Sequence, residues 1–538
     1  MILEFIGAAH EVTGSCHYLN VNGKNILVDY GMEQGKNLYE NVDLPVSAGE
    51  IDYIFLTHAH IDHSGLLPYA YAKGFRGRIY ATNATAKLCS IMLRDSAHIQ
   101  AFEAEWRNRK ARRNTNIEEF VPLYTMEDAD GAIRLLKPVS YNELIHVDQG
   151  IDIRFTDVGH LLGSAAIEVF LNEEGVSKKI VFSGDVGNTG QPILREPQPV
   201  EGADYVLIES TYGDRLHSEE KPDYTGELTK ILQFTFDRGG NVVIPSFAVG
   251  RTQELLYFIR EIKEKGLVHG HEDFPVYVDS PLAVDATSIF GKSSLECYDG
   301  EAKKLVEKGI NPLSFTNLNL SITPDDSRDI NTDDEPKVII SASGMCDAGR
   351  IRHHLKHNLW RKESTILFVG YQSAGTLGRA LYEGARTVKL FGEEISVNAS
   401  IEILTGMSGH ADQKGLLNWV EKSFDPEKTQ KIFVVHGEDT VTDKFAALLT
   451  EKFGFKTYAP YSGTKYDLLK DEVIEETKGI PVVKKVTAQK KISTVFERLL
   501  AAGERLLSVI RKNEHGANKD LAKFADQINA LSDKWDRT

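Results

Sequence analysis

The chain's 538 residues exceed what one hydrophobic core usually fills, so more than one domain is expected, and 41% hydrophobic with 26% charged content excludes a disordered or fibrous class. The net charge of −16 argues against a protein that coats nucleic acid non-specifically, because phosphate neutralisation needs clustered Lys and Arg. It does not exclude a nuclease, since cations held in a cleft reverse the local field.

No apolar run is long enough to span a bilayer, and Met1 to Phe5 lacks the pattern of a signal peptide, so a cytoplasmic protein without membrane contact is expected. Cys16, Cys89, Cys297 and Cys346 form no C-x-x-C pair and read as packing residues. Cys16 to Val21 and Asn25 to Val28 flank Asn22-Gly23, a hairpin signal, and Asp29 ends the second strand. The apolar run Ile51 to Leu56 reads as a buried strand leading into Thr57-His58-Ala59-His60-Ile61-Asp62-His63, with Gly65 to Pro68 opening a helix. His58, His60, Asp62 and His63 are four ligand-type side chains in six residues; any one alone is as well explained by capping or packing, but the group is not. Imidazole and carboxylate suit zinc, and the set is too large for one tetrahedral ion once distant ligands join, so two metals are expected.

A helix is predicted from Ala86 to about Arg113, its basic run Arg107 to Arg113 read as a solvated face, with contact to a phosphate backbone as the alternative. Strands follow at Ile151 to Phe155, Ala166 to Phe170, Lys179 to Ser183 and Tyr205 to Ile208. Behind them stand His160, Asp185 and Glu209, where layered α/β folds place active-site residues. From about Asp214 strands and helices alternate (Val242 to Pro245, Thr252 to Lys265, Val276 to Val278, Val338 to Ile340, Thr365 to Val369), which predicts a parallel sheet covered by helices. Ser321 to Pro336 reads as a surface loop, and His353, His354 and His357 as surface or groove residues. Ile401 to Leu404 and Ile432 to Val435 read as a return to the first domain. The expected division is 1–212, an insertion at 213–392, a returning part at 393–488 and a helical extension at 489–538. In that extension Val495, Leu499, Leu500, Leu506 and Leu507 recur at helical spacing. Such helices should pack on their own chain or on a second copy, giving a homodimer.

The ordered set Asp29, His58, His60, Asp62, His63, His160 and Asp185 resembles the metallo-β-lactamase superfamily. Glu209 in Ile-Glu-Ser-Thr-Tyr-Gly, His410 in Ser-Gly-His-Ala-Asp and His436 in Val-Val-His-Gly-Glu, with the long insertion, narrow the resemblance to its β-CASP branch. That branch includes the nuclease of pre-mRNA 3′-end cleavage and bacterial and archaeal RNA-processing enzymes, and the resemblance covers residues 1 to about 470. It implies an αββα sandwich with an inserted α/β domain and two zinc ions per chain. His58, His60 and His160 would hold the first ion and Asp62, His63 and His436 the second, with Asp185 bridging them and Asp29 orienting a ligand imidazole. A water shared by the metals would be the nucleophile. His410, steadied by Glu209, would protonate the leaving 3′ oxygen, so Asp62, Asp185, Glu209 and His410 form the implied catalytic set. His436 resembles the RNA-acting rather than the DNA-acting members, which makes single-stranded RNA the expected substrate, cut internally or from the 5′ end. Arg251 at a helix start, and Ser341, Ser343 and Gly344 behind a strand, are candidate phosphate contacts. The competing readings are a small-molecule thioester or lactam hydrolase of the same fold, a DNA-acting nuclease, a silent scaffold, and a di-iron redox protein, against which the intact His60 argues.

Overall fold

The computed structural model describes residues 1–538 except 36, 112–119, 218–221, 293–294, 483–493, 515–516 and 537–538, and except the side chains of 110–111 and 494–498. Arg112, Arg113 and Val495 of the readings above lie outside what is described.

Period-two alternation builds the first two sheets. Strands Ile2–Gly7, Cys16–Val21, Lys24–Val28, Tyr53–Phe55, Arg78–Thr82 and Leu136–Val139 form one sheet in that order. Lys465–Asp467 and Glu472–Glu475 extend it beyond the first strand. The second sheet runs Thr457–Tyr458, Lys431–Val435, Tyr205–Glu209, Val176–Phe182, Ala165–Glu173, Ile151–Asp157, Ile145–Asp148. Leu3, Phe5, Leu19, Ile26 and Val28 of the first sheet share one core with Ile153, Phe155, Ile167, Val169 and Phe433 of the second. The alternate residues face helices: Leu27 and Ile54 meet Leu67, Leu88 and Ala129, while Val206, Ile208 and Val434 meet Leu416, Trp419 and Phe445. Two sheets packed face to face between helix layers are the expected αββα sandwich.

The inserted part is a six-stranded sheet in the order Leu318–Ser321, Val276–Asp279, Val338–Ser341, Val242–Pro245, Thr365–Phe368, Ser400–Ile403, every pair parallel. Its four inner strands are buried on both faces because helices cover both, while the edge strands Leu318–Ser321 and Ser400–Ile403 stay partly exposed. Ile401 to Leu404 therefore belongs with the insertion, not with the first domain: Ser400–Ile403 pairs with Thr365–Phe368 as an edge strand. Ser321 to Pro336 is not a loop throughout. Thr323 and Asp326 form a capping box with Pro324 in the first turn, which starts the helix Pro324–Thr332. His354 is a further correction. It is fully buried, its ring lying 2.7 Å from Asp279 and 2.9 Å from Asn331.

The extension forms helices Thr494–Lys512 and Asn518–Trp535. The first lies on its own chain: Ala501 is buried, Arg511 is 3.2 Å from Glu50 and Lys512 3.0 Å from Asp52. Leu499, Leu500 and Leu507 remain exposed, and the second helix buries no residue. All four cysteines are buried and unpaired, and burial pushes the thiols of Cys89, Cys297 and Cys346 up to about 12. Among the described residues no helix is long and apolar enough to cross a membrane.

Candidate metal centre

The candidate ligands stand at the same end of the two facing sheets, each just past a strand. Asp29 follows Lys24–Val28, the His58–His63 cluster follows Tyr53–Phe55, His160 follows Ile151–Asp157, Asp185 follows Val176–Phe182 and His436 follows Lys431–Val435. Asp29 and His436 sit in the left-handed region, at φ 60° and 50°, a strained setting for residues with side chains and one that recurs at functional sites. Asp62 and His63 lie on a single helical turn, Ile61–Ser64. This turn ends at Gly65, and the helix expected from Gly65 to Pro68 follows as Leu67–Ala72, with Pro68 in its first turn.

His58, His60, His160 and Asp185 form one group of ligand atoms, and Asp62, His63 and His436 a second. His60 Nδ1 is 3.0 Å from His58 Nε2 and 3.2 Å from His160 Nε2, and His63 Nε2 is 3.1 Å from His436 Nε2. Nitrogens coordinated about 2.0–2.1 Å from one tetrahedral zinc would lie about 3.3 Å apart, so the spacing fits. The Asp185 carboxylate divides between the groups. Its Oδ2 is 3.5 Å from His58 and 3.4 Å from His160, and its Oδ1 is 3.3 Å from His63 and 3.6 Å from His436. Asp185 is 2% exposed, yet Oδ1 accepts no hydrogen bond, an orphaned buried oxygen of the kind a cation satisfies.

Four imidazoles have their other nitrogen on an acceptor: His58 Nδ1 on Thr57 Oγ1 at 3.1 Å, His63 Nδ1 on Asp29 at 2.7 Å, His160 Nδ1 on the Gly409 carbonyl at 3.1 Å and His436 Nδ1 on Thr211 Oγ1 at 3.1 Å. With the proton on Nδ1, each ring turns a lone pair on Nε2 inward. Thr57 and Thr211 can accept because their own hydroxyls donate elsewhere, to Asp29 and to the His436 carbonyl. Neither threonine, nor the Gly409 carbonyl, stood out in the sequence. Burial, and then the charge of a neighbouring imidazole, holds His58 and His160 well below the usual imidazole range, in the neutral form a ligand needs. Burial alone would raise Asp185, but His436, His63 and His58 outweigh it and keep the carboxylate well below its usual range.

Three family models match in order: a metallo-beta-lactamase superfamily domain at 18–198, a Beta-Casp domain at 252–381 and a Zn-dependent metallo-hydrolase RNA specificity domain at 394–460. A ribonuclease of Thermus thermophilus is 36% identical over 436 residues, 80% of this chain and 92% of that protein. The chain belongs to the β-CASP branch of the metallo-β-lactamase superfamily. An RNase J-like protein of Methanocaldococcus jannaschii is 29% identical over 86% of this chain and 99% of its own length. A transcription termination factor of the same organism is also 29% identical, over 85% of this chain and 70% of its own length. The donor set, the family and the hydrolase domain together make this β-CASP protein a metal-binding hydrolase.

His410 stands at the rim of this β-CASP centre, 22% exposed, its ring 4.4 Å from that of His160. Its Nδ1 is 3.2 Å from Glu209 Oε2 and 3.9 Å from Asp185. Burial would lower its pKa, but the Glu209 carboxylate outweighs burial and raises it to about 9. Glu209 is itself fixed by the Val186 N–H, at 2.6 Å from Oε1.

The phosphate candidates fare differently. Ser341 is buried and its hydroxyl donates to the Asp279 carbonyl at 2.7 Å, so it is spent inside the inserted sheet and is withdrawn from that role. Ser343 exchanges hydrogen bonds with Ala348 across its own loop, and Gly344 packs on Phe247. Arg251 pairs with Glu254, leaving part of its fork, and the preceding Gly250 adjoins Leu161, next to His160. A further group, His10 with Asp439 and Asp443, offers no free imidazole lone pair. His10 Nδ1 is 2.9 Å from Asp439 and Nε2 is 3.2 Å from the Ala459 carbonyl.

Proposed function

We propose that the chain is a two-zinc ribonuclease that hydrolyses phosphodiester bonds of single-stranded RNA in the cytoplasm. The observation that carries this reading is the split of the Asp185 carboxylate between two imidazole groups, with the His410–Glu209 pair beside it. The ribonuclease relative and the RNA specificity domain support the substrate class. In this reading His58, His60 and His160 hold one ion, Asp62, His63 and His436 the other, and Asp185 both. A two-metal centre held by these residues would supply Lewis acidity and a water-derived nucleophile near neutral pH.

The chain's own groups do the rest. Asp29, Thr57, Thr211 and the Gly409 carbonyl hold the rings in the ligating tautomer. The His410 imidazolium, aimed by Glu209, protonates the leaving 3′ oxygen, so the downstream product carries a 5′ phosphate. Arg251 and the backbone of Ser343 and Gly344 are the phosphate contacts we retain. We place the insertion between about 213 and 404, because the strand ending at Ile403 pairs with it. Self-association would use the exposed Leu499, Leu500 and Leu507; light scattering and RNA cleavage by a chain ending at Thr487 test it, an unchanged oligomeric state with unchanged activity rejecting a role for the extension.

RNA end-labelled and carrying either a 5′ monophosphate or a 5′ triphosphate, digested beside a thioester substrate, tests the function. Shortened RNA with an intact thioester is expected, and product lengths tell internal cutting from 5′-end trimming. Thioester hydrolysis with intact RNA would reject the proposal.

A further inference from the structure

Beside His410 a cleft of ≈ 390 Å³ opens between the two domains, within the size range of small-ligand sites. One wall comes from the segment behind Glu209: Tyr212, Arg215 and His217. The other comes from the insertion: Tyr371, Arg379 and Tyr382, with the run Ile403 to Ser408 as floor. The cleft is continuous with the metal centre. The Tyr212 ring lies edge-on 5.9 Å from that of His410, and Ser408 Oγ accepts from the His410 N–H at 3.2 Å.

The aromatic wall is built to stay open. Gln372 tucks inward, its amide donating to the Gly344 and Gly370 carbonyls at 3.0 and 3.2 Å, which leaves the preceding Tyr371 59% exposed. Thr376 caps the helix Leu377–Tyr382, on which Arg379 and Tyr382 are one turn apart and so share a face. Tyr382 is 38% exposed. Arg379 bonds Glu383 at 2.7 Å, and Arg215 lies 3.5 Å from Asp214 and 3.7 Å from Glu438, so neither guanidinium spends all its N–H groups. Exposed rings alternating with arginines, in a chain of strong negative charge, match a base stacked between flanking phosphates.

We propose that this cleft binds one nucleotide of single-stranded RNA adjoining the scissile phosphate. Its base stacks on Tyr371 and Tyr382, and its phosphates meet Arg379 and Arg215. The proposal rests on the ribonuclease reading and adds the subsite that distinguishes RNA from a small phosphodiester. Because Gln372 ties the Tyr371 loop to Gly344, occupancy would also brace the loop bearing Ser343.

The test compares Tyr371→Ala and Tyr371→Phe with the unaltered zinc-loaded protein, on a short single-stranded RNA and on bis(p-nitrophenyl) phosphate, which carries no nucleobase and no flanking phosphate. Removing the ring should raise KM for RNA by about ten-fold or more, a loss at least ten-fold larger than on the small diester, and Phe should restore RNA binding. Equal losses on both substrates, or an unchanged KM for RNA, would overturn the cleft assignment while leaving the ribonuclease reading intact. An unaltered protein that cleaves the small diester but no RNA would overturn both.

Discussion

Replacing Asp29 by Asn keeps the shape of the side chain but removes its charge and turns one accepting oxygen into a donor. The Asp29 carboxylate accepts from the Thr57 N–H at 2.8 Å, the Thr57 hydroxyl at 2.8 Å and His63 Nδ1 at 2.7 Å. An amide has one accepting end. If its oxygen faces Thr57, its NH₂ meets His63 Nδ1, which must give up its proton; the proton then sits on Nε2, 3.1 Å from His436 and 3.3 Å from Asp185, where a ligand lone pair is needed. If the amide flips, its NH₂ meets the Thr57 N–H instead. One orientation thus forces the wrong His63 tautomer and the other sets two donors face to face, in a site 2% exposed. Loss of such a partner costs about 10- to 100-fold in metal affinity, or about 1.4 to 2.7 kcal/mol. Competition against a chromophoric chelator should show one zinc weakened by that factor and the other, at His58, His60 and His160, changed less. Affinities within two-fold of the unaltered protein at both sites would refute the tautomer argument and with it the role given to Asp29.

Three further outcomes are expected. Asp185→Asn should lose one metal equivalent and nearly all cleavage, read by metal analysis and RNA digestion, because a bridging charge is removed; full occupancy with full activity would refute the shared site. His410→Ala should keep both metals and slow RNA cleavage by about 10²- to 10⁴-fold, with a smaller loss on a diester whose leaving group needs no proton; loss of zinc would make His410 a ligand. Asp157 accepts from the Gly159 N–H at 2.9 Å, and burial raises its carboxyl to about 7 from an ordinary 3.8, with Oδ2 unpartnered. Below pH 4 folded and unfolded forms are both protonated. Between about 4 and 7 only the unfolded chain gives up this proton, so stability falls by up to about 4 kcal/mol as pH rises through that window. Asp157→Asn should flatten the fall and raise the melting temperature at pH 8 more than at pH 4; equal shifts at both would count against a neutral buried acid.

What could be read in the sequence follows the range of the interactions. The His58 to His63 cluster and the Asn22-Gly23 hairpin are local and were legible from spacing alone. His410 and His436 reach the centre across more than 200 residues, and only a family resemblance pointed to them. The groups that set the tautomers, Thr57, Thr211 and the Gly409 carbonyl, carry no local signal, because a threonine or a carbonyl becomes an orienting group only through the ring the fold brings to it. Ser341 shows the converse: a serine behind a strand looked available, but the neighbouring strand consumes its proton. The helix Pro324–Thr332 was announced by Thr323, Pro324 and Asp326, a start signal obscured by the polar composition around it. Ile401 to Leu404 was misplaced because an apolar run says that a strand is buried, not in which sheet.

The most direct test of the central claim is one RNA, labelled at either end, incubated with the protein as purified, after chelation and after zinc is restored, with the product termini determined. The account predicts cleavage lost on chelation and regained with zinc, the downstream fragments carrying 5′ phosphates and the upstream ones 3′ hydroxyls. Cleavage that survives chelation, or fragments ending in 2′,3′-cyclic phosphate, would place the nucleophile on the RNA itself and contradict a metal-activated water and the role given to His410.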